Sequence, residues 1–317
     1  MSVLSSAGAV PLATVDRSGF PESEHLGAAV VVGPDGRVLD SAGDADALVY
    51  PRSALKPFQT VAALRAGLRL DATGLAIVTS SHVGSPRHIA AVRAVLAGVG
   101  ASEEDLRTPP AWPSSRTAME EAVRQGAGPS RIAMNCSGNH AGMIGASLAL
   151  GWPVEDYLDP ASPVHALALE VLREHTGADP VHPGTDGCGG PVWAVPLVAL
   201  ARGYASLGAA EPALLGAVRE DPDLIEGART ATTRAIASLG VVAKSGAEGV
   251  WCAVAPDGTA AAVKVLDGAH RAAAAVAVSL LSGVGAVVRK GAEAFLADPA
   301  LAVLGGGAEV GRVRVLV

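Results

Sequence analysis

The stretch Tyr50–Gln59 reads YPRSALKPFQ and places Ser53 three residues before Lys56, which Pro57 follows directly. A proline inside a helix costs about 3 kcal/mol, because it removes a backbone donor and clashes with the preceding turn, but the first turn tolerates it. If the apolar run 54–64 is helical, Ser53 therefore lies at or beside its N-cap. Residues three apart share one helix face, so the Lys56 amine would reach the Ser53 hydroxyl. The stretch predicts a serine nucleophile at the positive end of a helix, with a lysine as its base.

Serine is also an ordinary N-cap and lysine an ordinary solvated residue, so a purely structural helix start would suit this spacing as well. Lysine is scarce, however. Of the 24 lysines and arginines, only four are lysines: Lys56, Lys244, Lys264 and Lys290. Where arginine supplies most of the positive charge, lysine is favoured at positions whose amine must be able to lose a proton. The scarcity favours a catalytic interpretation of Lys56.

Composition narrows the function classes. With 317 residues, 50% hydrophobic and 17% charged, the chain is long enough for one large domain or two intimate lobes. A net charge of −7, 3% aromatic residues and no basic run give no indication of a nucleic-acid partner. No apolar run is long enough to span a membrane, and residues 1–15 lack a basic region, so we expect a cytoplasmic location and no membrane partner. Three cysteines do not make a disulfide framework.

The order of predicted elements indicates the fold class. Short apolar segments flank a turn signal twice, GPDG between 27–32 and 37–41 and PDG between 250–255 and 260–266, and both pairs read as β-hairpins. Residues 311–317 suit a last edge strand. Helical patterns occupy 87–97, 116–124, 142–150, 163–175, 196–207, 211–220, 229–239 and 270–281. Strands at both sequence ends predict an α+β fold, with an antiparallel sheet built from both ends plus a large helical lobe.

We expect the whole chain, 1–317, to form a single domain of two intimate lobes. The sheet lobe would comprise about 15–50 and 240–317, and the helical lobe about 51–239.

Four glycine-rich stretches carry polar residues that a structural loop would not require. They are TSSHVGSPRH (79–88), NCSGNHAGM (135–143), TDGCGGP (185–191) and AKSGAEG (243–249). Each alone suits a turn, but together with RSALK they suit the walls of one pocket. Lys244-Ser245-Gly246 fits the K-[ST]-G element that accompanies S-x-x-K in serine β-lactamases and penicillin-binding proteins, and Ser137-Gly138-Asn139 fits their S-x-N element.

Taken in order with RSGFPESEHLGAAVVV (17–32) and RSALKPFQ, these blocks resemble the signature blocks of the L-asparaginase II family. The resemblance runs from about residue 17 to 264 and beyond. It implies a serine β-lactamase-like and glutaminase-like fold, a homodimer, and hydrolysis of L-asparagine to L-aspartate and ammonia with no cofactor required for the chemistry.

The resemblance assigns Ser53 and Lys56 to the first Ser-Lys pair of the family and Ser81 and Lys264 to a second. Which serine attacks the amide stays open. The helix-start argument favours Ser53 with Lys56 as general base, while Ser81 and Lys264 relay protons to the leaving ammonia. The other candidates would bind the substrate: Arg52, His82, His140, Asp186, Lys244 and Glu248. An arginine suits a carboxylate and an acidic residue an ammonium group, although each also suits a structural salt bridge.

The sequence departs from the family pattern at a metal site. The resemblance implies zinc held by the cysteine and lysine of N-C-S-G-K-H and by the cysteine of D-G-C-G. Here Cys136 and Cys188 are present, but Asn139 replaces the lysine. An amide is a poor zinc ligand beside thiolates, so the site would need a histidine such as His140, or water, to reach four ligands. A free thiol pair and a reversible disulfide are the alternatives.

Three other functions fit the same blocks. A glutaminase differs only in pocket length, and one methylene discriminates by about 1 to 3 kcal/mol. An acyl-serine hydrolase of the penicillin-recognising kind shares S-x-x-K and K-S-G but leaves the two glycine-flanked cysteines without a role. A catalytically inactive relative that binds amino acids would show ligand binding without ammonia release.

Overall fold

Residues 2–317 are described by a computed structural model, in which β-strands come from both ends of the sequence and most helices lie between them. The strands are β1 (Val10–Arg17), β2 (Phe20–Val32), β3 (Val38–Ala42), β4 (Leu48–Val49), β5 (Val181–Thr185), β6 (Pro191–Pro196), β7 (Val242–Gly246), β8 (Val250–Val254), β9 (Ala260–Val265), β10 (Ala302–Gly305) and β11 (Ala308–Val315).

The helices follow the same order. They are α1 (Lys56–Arg65), α2 (Ala72–Thr79), α3 (Pro86–Gly98), α4 (Arg116–Arg124), α5 (Ser137–Ala149), α6 (Pro163–Thr176), α7 (Leu197–Ala210), α8 (Pro212–Glu220), α9 (Asp223–Glu226), α10 (Ala231–Leu239), α11 (Ala273–Gly283) and α12 (Arg289–Leu296).

The main sheet joins the two ends of the chain. Its order is β10-β11-β1-β2-β9-β8-β7, with β3 paired to the far part of β2, and every pairing is antiparallel. The central contact pairs β2 with β9 from Gly27 opposite Val265 to Val32 opposite Ala260. Strands that are more than 200 residues apart in the chain are therefore neighbours, as the sequence predicts.

The centre of this sheet is covered on both faces. Every residue of β8 is buried, as is every residue of β9 except Lys264. Since successive strand residues point to opposite faces, this burial pattern requires cover on each side, and α7 and α11 pack against these strands. Polar and apolar residues do not alternate in β8 and β9 because both faces of these strands are covered by helices.

A smaller sheet holds the loop that carries Asp186 and Cys188. It has the order β4-β6-β5, and β6 runs directly into α7. The sequence patterns did not predict β5 and β6, because β5 reads VHPGT, with the proline and glycine typical of a turn. They also missed β1, α2 and α12.

The α+β fold class is confirmed. The chain has the S-x-x-K element at the start of α1 and the K-S-G element on the edge strand β7, which packs beside it. This is the arrangement of the serine β-lactamase-like fold that the resemblance implies. Each predicted helix is present, with boundaries shifted by a few residues at most ends. Within residues 2–317, no helix combines the length and apolar character that crossing a membrane requires.

Candidate active site

Ser53 lies in a 3-10 turn, Arg52–Leu55, that leads into α1. Leu55 is the N-cap of α1, and Pro57 lies in the first turn, as predicted. Ser53 therefore stands two residues before the N-cap, and its carbonyl accepts a hydrogen bond from the Lys56 amide. The proline and the short turn together fix where the Ser53 side chain enters the site.

Lys56 is buried and connects two segments. Its Nζ donates to the carbonyl oxygen of Ser80 at 2.5 Å and to Ser81 Oγ at 2.9 Å. Ser80 is the C-cap of α2, where helix carbonyls lack intrahelical partners and attract a cation. The hydrogen-bonded Ser-Lys pair of this structure is thus Lys56 with Ser81, rather than the expected Lys56 with Ser53.

Lys264 lies away from Ser81, the serine that the resemblance assigns to it. Its Nζ donates to the backbone oxygen of Glu248 at 2.6 Å and to that of Val265. Burial lowers the pKa of Lys264, while the charge of Glu248 acts in the opposite direction. The amine belongs to a cleft beside Glu248.

The K-S-G strand packs directly on the serine turn. A Cβ at Gly246 would lie 2.1 Å from the carbonyl oxygen of Pro51, so only glycine allows β7 to approach this closely. Lys244 does not line the crevice. Its side chain is about 1% exposed, and its Nζ forms an ion pair with Glu226 Oε1 at 2.5 Å. Lys244 is therefore a buried cation of β7 that is paired with Glu226 and not exposed to the crevice.

Arg52 is held between two acidic residues. Its Nε and Nη2 lie 2.7 and 2.6 Å from Asp186 Oδ1, and its Nη1 lies 4.0 Å from Glu248 Oε1. Arg52 has a φ of 54° and Glu248 a φ of 63°, in the left-handed region that non-glycine residues seldom occupy. Arg52 and Glu248 therefore both have a strained backbone and form an ion pair with each other. Strained backbone conformations of this kind are common at functional sites.

His82 and His140 are buried supports of α5. His82 accepts a hydrogen bond from the Gly84 amide at Nδ1, so its Nε2–H donates to Ser137 Oγ at 2.8 Å. His140 Nδ1 pairs with the Tyr157 hydroxyl at 2.6 Å. Burial lowers the pKa of both rings, to about 3 for His140. Both are therefore neutral and lie inside the protein rather than in the crevice.

The two cysteines at the site are reduced and buried. Cys136 is the N-cap of α5, and Cys188 lies in the loop between β5 and β6. The neighbouring Cys188 thiol, together with the charge of Lys56, lowers the pKa of Cys136, while Cys136 and burial raise the pKa of Cys188. The Cys136 thiol donates a hydrogen bond to Asn135 Oδ1 at 3.2 Å.

The residues around this pair do not fit zinc. Asn139 uses its amide to donate to the Val78 carbonyl at 3.2 Å, and His140, whose Nε2 has no hydrogen-bond partner among the described residues, does not join the two cysteines in a three-ligand group. Among residues 2–317, no three His, Cys, Asp or Glu side chains converge as metal ligands. Two thiols fall short of the four ligands of a structural zinc site, or the three protein ligands of a catalytic one.

The described side chains form a narrow crevice that adjoins a wider cleft. The crevice runs between the start of α1, α5 and the loop before β6, and its free volume of about 10 Å³ holds about one water molecule. The residues that line it are Arg52, Ser53, Leu55, Lys56, Gln59, Asn139, Met143, Asp186, Cys188, Gly190, Pro191 and Val192. The cleft, of about 400 Å³, shares Arg52 and brings in Glu248, Lys264 and apolar walls.

Sequence reasoning missed two residues of this arrangement. Tyr157 orients His140, and Glu226 pairs with Lys244. The only signal for Glu226 is a lone acidic residue between Leu224-Ile225 and Gly227, in a stretch that reads as a loop.

Comparisons with known proteins agree with the resemblance. The family model described as L-asparaginase II matches residues 13–315. A search of curated protein sequences gave no match.

Three solved structures are among those with detectable similarity to this chain. Mglu in its native form is 15% identical, with 81% of this chain and 64% of that chain covered and a TM-score of 0.44. A β-lactamase from Mycobacterium bovis is 17% identical, with 81% and 94% covered and a TM-score of 0.41. The Bacillus subtilis glutaminase YbgJ, in a covalent complex with 5-oxo-L-norleucine, is 16% identical, with 86% and 90% covered and a TM-score of 0.33.

The chain thus spans 64% of the length of Mglu, and identities and TM-scores this low indicate nothing about activity. The family match is of another kind, because it extends over almost the entire sequence and includes every block that forms the crevice. The chain belongs to the L-asparaginase II family.

Proposed function

We propose that this protein is an amidohydrolase that hydrolyses the side-chain amide of L-asparagine to L-aspartate and ammonia through an acyl-serine intermediate. The observation that carries the proposal is the position of Lys56. It is a buried amine one turn from the crevice serine Ser53, and it is hydrogen-bonded to a second serine, Ser81. This is the geometry of a base that takes a proton from one hydroxyl and passes it on through another.

In the first half-reaction, Ser53 Oγ attacks the amide carbon while the neutral Lys56 amine takes the hydroxyl proton. The carbon–nitrogen bond then breaks, and the proton passes from Lys56 through Ser81 to the leaving nitrogen, which departs as ammonia. We assign the attack to Ser53 because it lines the crevice, whereas the Ser81 hydroxyl receives the hydrogen bond of Lys56. The Ser81 hydroxyl both receives and donates, as a relay must.

In the second half-reaction, water attacks the aspartyl ester, Lys56 takes the proton of the water, and Ser53 regains a proton as L-aspartate leaves. The same lysine acts as base in both halves, and no step needs a metal. Lys264 takes no part in the relay in this scheme, because its amine points to the cleft.

Recognition of the amino-acid end follows from the charges next to the crevice. Arg52 and Lys264 are the cations available to an α-carboxylate, and Asp186 and Glu248 are the acids available to an α-ammonium group. The narrow crevice favours the shorter amide, asparagine, over glutamine by the roughly 1 to 3 kcal/mol that one methylene supplies.

The test is ammonia release from L-asparagine and L-glutamine, together with turnover of a chromogenic β-lactam. We expect release from asparagine, less from glutamine, and none of the β-lactam hydrolysed. Ser53→Ala should abolish release, and Ser238→Ala, at an exposed serine of α10, is the matched control. Preference for glutamine would make the protein a glutaminase. Amino-acid binding without ammonia release would instead show a relative that has lost its activity.

A further inference from the structure

Glu226 is an acidic side chain buried behind the candidate site. It is the last residue of α9 and only about 7% exposed. Its Oε1 accepts three hydrogen bonds, from Lys244 Nζ at 2.5 Å, the Ser245 amide at 3.2 Å and Ser245 Oγ at 2.5 Å. All three donors belong to the K-S-G strand β7. One carboxylate oxygen therefore fixes both the lysine and the serine of that element.

The backbone of α9 holds the opposite wall of the site. The carbonyl oxygen of Ile225 accepts the Ser81 amide hydrogen bond at 2.8 Å, and that of Asp223 lies 3.0 Å from His88 Nε2. A Cβ at Gly227 would lie 2.6 Å from the Val83 side chain. Since Ser81 receives the Lys56 hydrogen bond, α9 connects the segment of the proton relay to the K-S-G strand.

The charge of Glu226 governs the charge of Lys244. Burial lowers the pKa of Lys244, and the Glu226 carboxylate acts to raise it. The titratable groups that face Lys244 come from five elements or loops: Glu226, Lys56, Cys136, Cys252 and His270. Glu226 is the one carboxylate among these groups, so its charge decides whether Lys244 stays protonated.

A protonated Lys244 places a fixed positive charge beneath the serine turn. Gly246, two residues on and therefore on the same face of β7, packs on Pro51, so the Lys244 side chain extends from the face of the strand that meets the serine turn. A preorganised cation at this depth favours the oxyanion that forms when a serine attacks an amide.

We propose that Glu226 is a positioning residue of this site, which acts through Lys244 and Ser245 and holds β7 in register with the segment that carries Ser81. The activity readout rests on the proposed function. Glu226 itself does not contact the crevice, so its effect on catalysis passes through the cation that it holds.

The test is Glu226→Gln, which keeps the acceptor oxygen and removes the charge. Asp223→Asn is the matched control, because Asp223 lies on the same helix with its carboxylate near the exposed Arg87. We expect Glu226→Gln to lower kcat/KM roughly tenfold at pH 8, a coupling usual within one network. The loss should shrink as the pH is lowered and Lys244 regains its proton, and Asp223→Asn should match the wild type. A loss that is constant across pH, or equal in the two variants, would overturn the proposal.

A double-mutant cycle separates positioning from general damage. In the Lys244→Met background there is no cation to hold, so Glu226→Gln should cause no further loss of kcat/KM. The double variant buries no unpaired charge, and it should fold even if Glu226→Gln alone does not. An additional loss in that background would show that Glu226 does not act through Lys244.

If the wild type releases no ammonia from either amide, the proposed function fails. The positioning role of Glu226 is then tested by measuring the binding of L-aspartate by calorimetry. Weaker binding by Glu226→Gln than by Asp223→Asn, with a difference that shrinks as the pH is lowered, would support the positioning role. Equal binding by the two variants would overturn it.

Discussion

Lys56 and Lys244 are both buried lysines of one site, but their surroundings differ. Lys244 contacts a carboxylate at 2.5 Å, whereas Lys56 contacts two neutral oxygens, the Ser80 carbonyl and the Ser81 hydroxyl. A carboxylate partner holds a buried lysine as a cation, whereas the hydroxyl partner of Lys56 can both accept and donate a proton. The hydrogen-bonding partner of each lysine, rather than its burial, therefore determines whether we assign it as a base or as a fixed charge.

The largest expected effect is at Lys56. Lys56→Met should lower kcat/KM for ammonia release by about 10³-fold or more, because the base of both half-reactions is lost. Lys56→Arg should be as inactive, since a guanidinium keeps its proton. Both should retain cooperative unfolding, which circular dichroism would measure. Substantial activity in Lys56→Arg would show that Lys56 acts as a charge and remove the contrast with Lys244.

At Lys244 we expect the main effect to be on stability, whereas at Lys56 it is on activity. Lys244→Met leaves the Glu226 carboxylate buried without its cation and should lower the free energy of unfolding by about 3–5 kcal/mol, as measured in urea. Burial alone would raise the pKa of Glu226, but the Lys244 charge and the hydrogen bonds lower it below the ordinary value of 4.5. In the wild type this contribution is therefore present above pH 4.5 and lost as the pH falls further.

In Lys244→Met, the pH dependence of the stability contributed by Glu226 has the opposite sign. Without its cation the pKa of Glu226 is raised in the folded state, so the variant gains stability relative to the wild type as the pH falls and Glu226 takes up a proton. A deficit in stability that stays constant from pH 8 to pH 4 would contradict a charged Glu226–Lys244 pair.

A smaller effect is expected at Ser81, which receives the Lys56 hydrogen bond. Ser81→Ala should lower ammonia release by about 10²-fold, because the proton that the leaving nitrogen needs loses its route. Hydrolysis of an activated β-aspartyl ester, whose leaving group departs without a proton, should stay near the wild-type rate. If both substrates lose activity equally, Ser81 has another role, and that of a nucleophile becomes the leading one.

The smallest effect is expected on removal of metal. The two thiols lack further zinc ligands, so dialysis against EDTA should leave ammonia release unchanged, and elemental analysis should find far less than one zinc per chain. If EDTA abolished the activity and added zinc restored it, the result would contradict this prediction. It would show that the protein brings together zinc ligands that are separate in this structure.

Local sequence signals predicted the start of the site and the strands around it. Pro57 placed the beginning of α1, and the paired turn signals placed the hairpins of the main sheet. Such signals come from residues close together in the chain, and they were sufficient for most helices. The α2 helix was missed, although Asp71 caps it, because only eight residues are helical.

The pairing of charges could not be predicted in the same way. Lys56 reaches Ser81 because α1 packs beside α2, and Lys244 meets Glu226 because the last residue of α9 hydrogen-bonds to β7. Both contacts depend on the packing of segments that are distant in the chain, and local sequence patterns do not predict such packing. The two-lobe division, the homodimer and the cytoplasmic location stay predictions.

Peptide mapping after covalent trapping can show whether Ser53 is the nucleophile and Lys56 its base. A diazoketone analogue of L-asparagine alkylates an attacking serine with loss of nitrogen. Trypsin separates the two serines, because Ser53 lies in the peptide 53–65 and Ser81 in the peptide 70–87. We predict that mass spectrometry finds the adduct on Ser53, and that Lys56→Met fails to form it. An adduct on Ser81 would contradict the account and exchange the roles of the two serines.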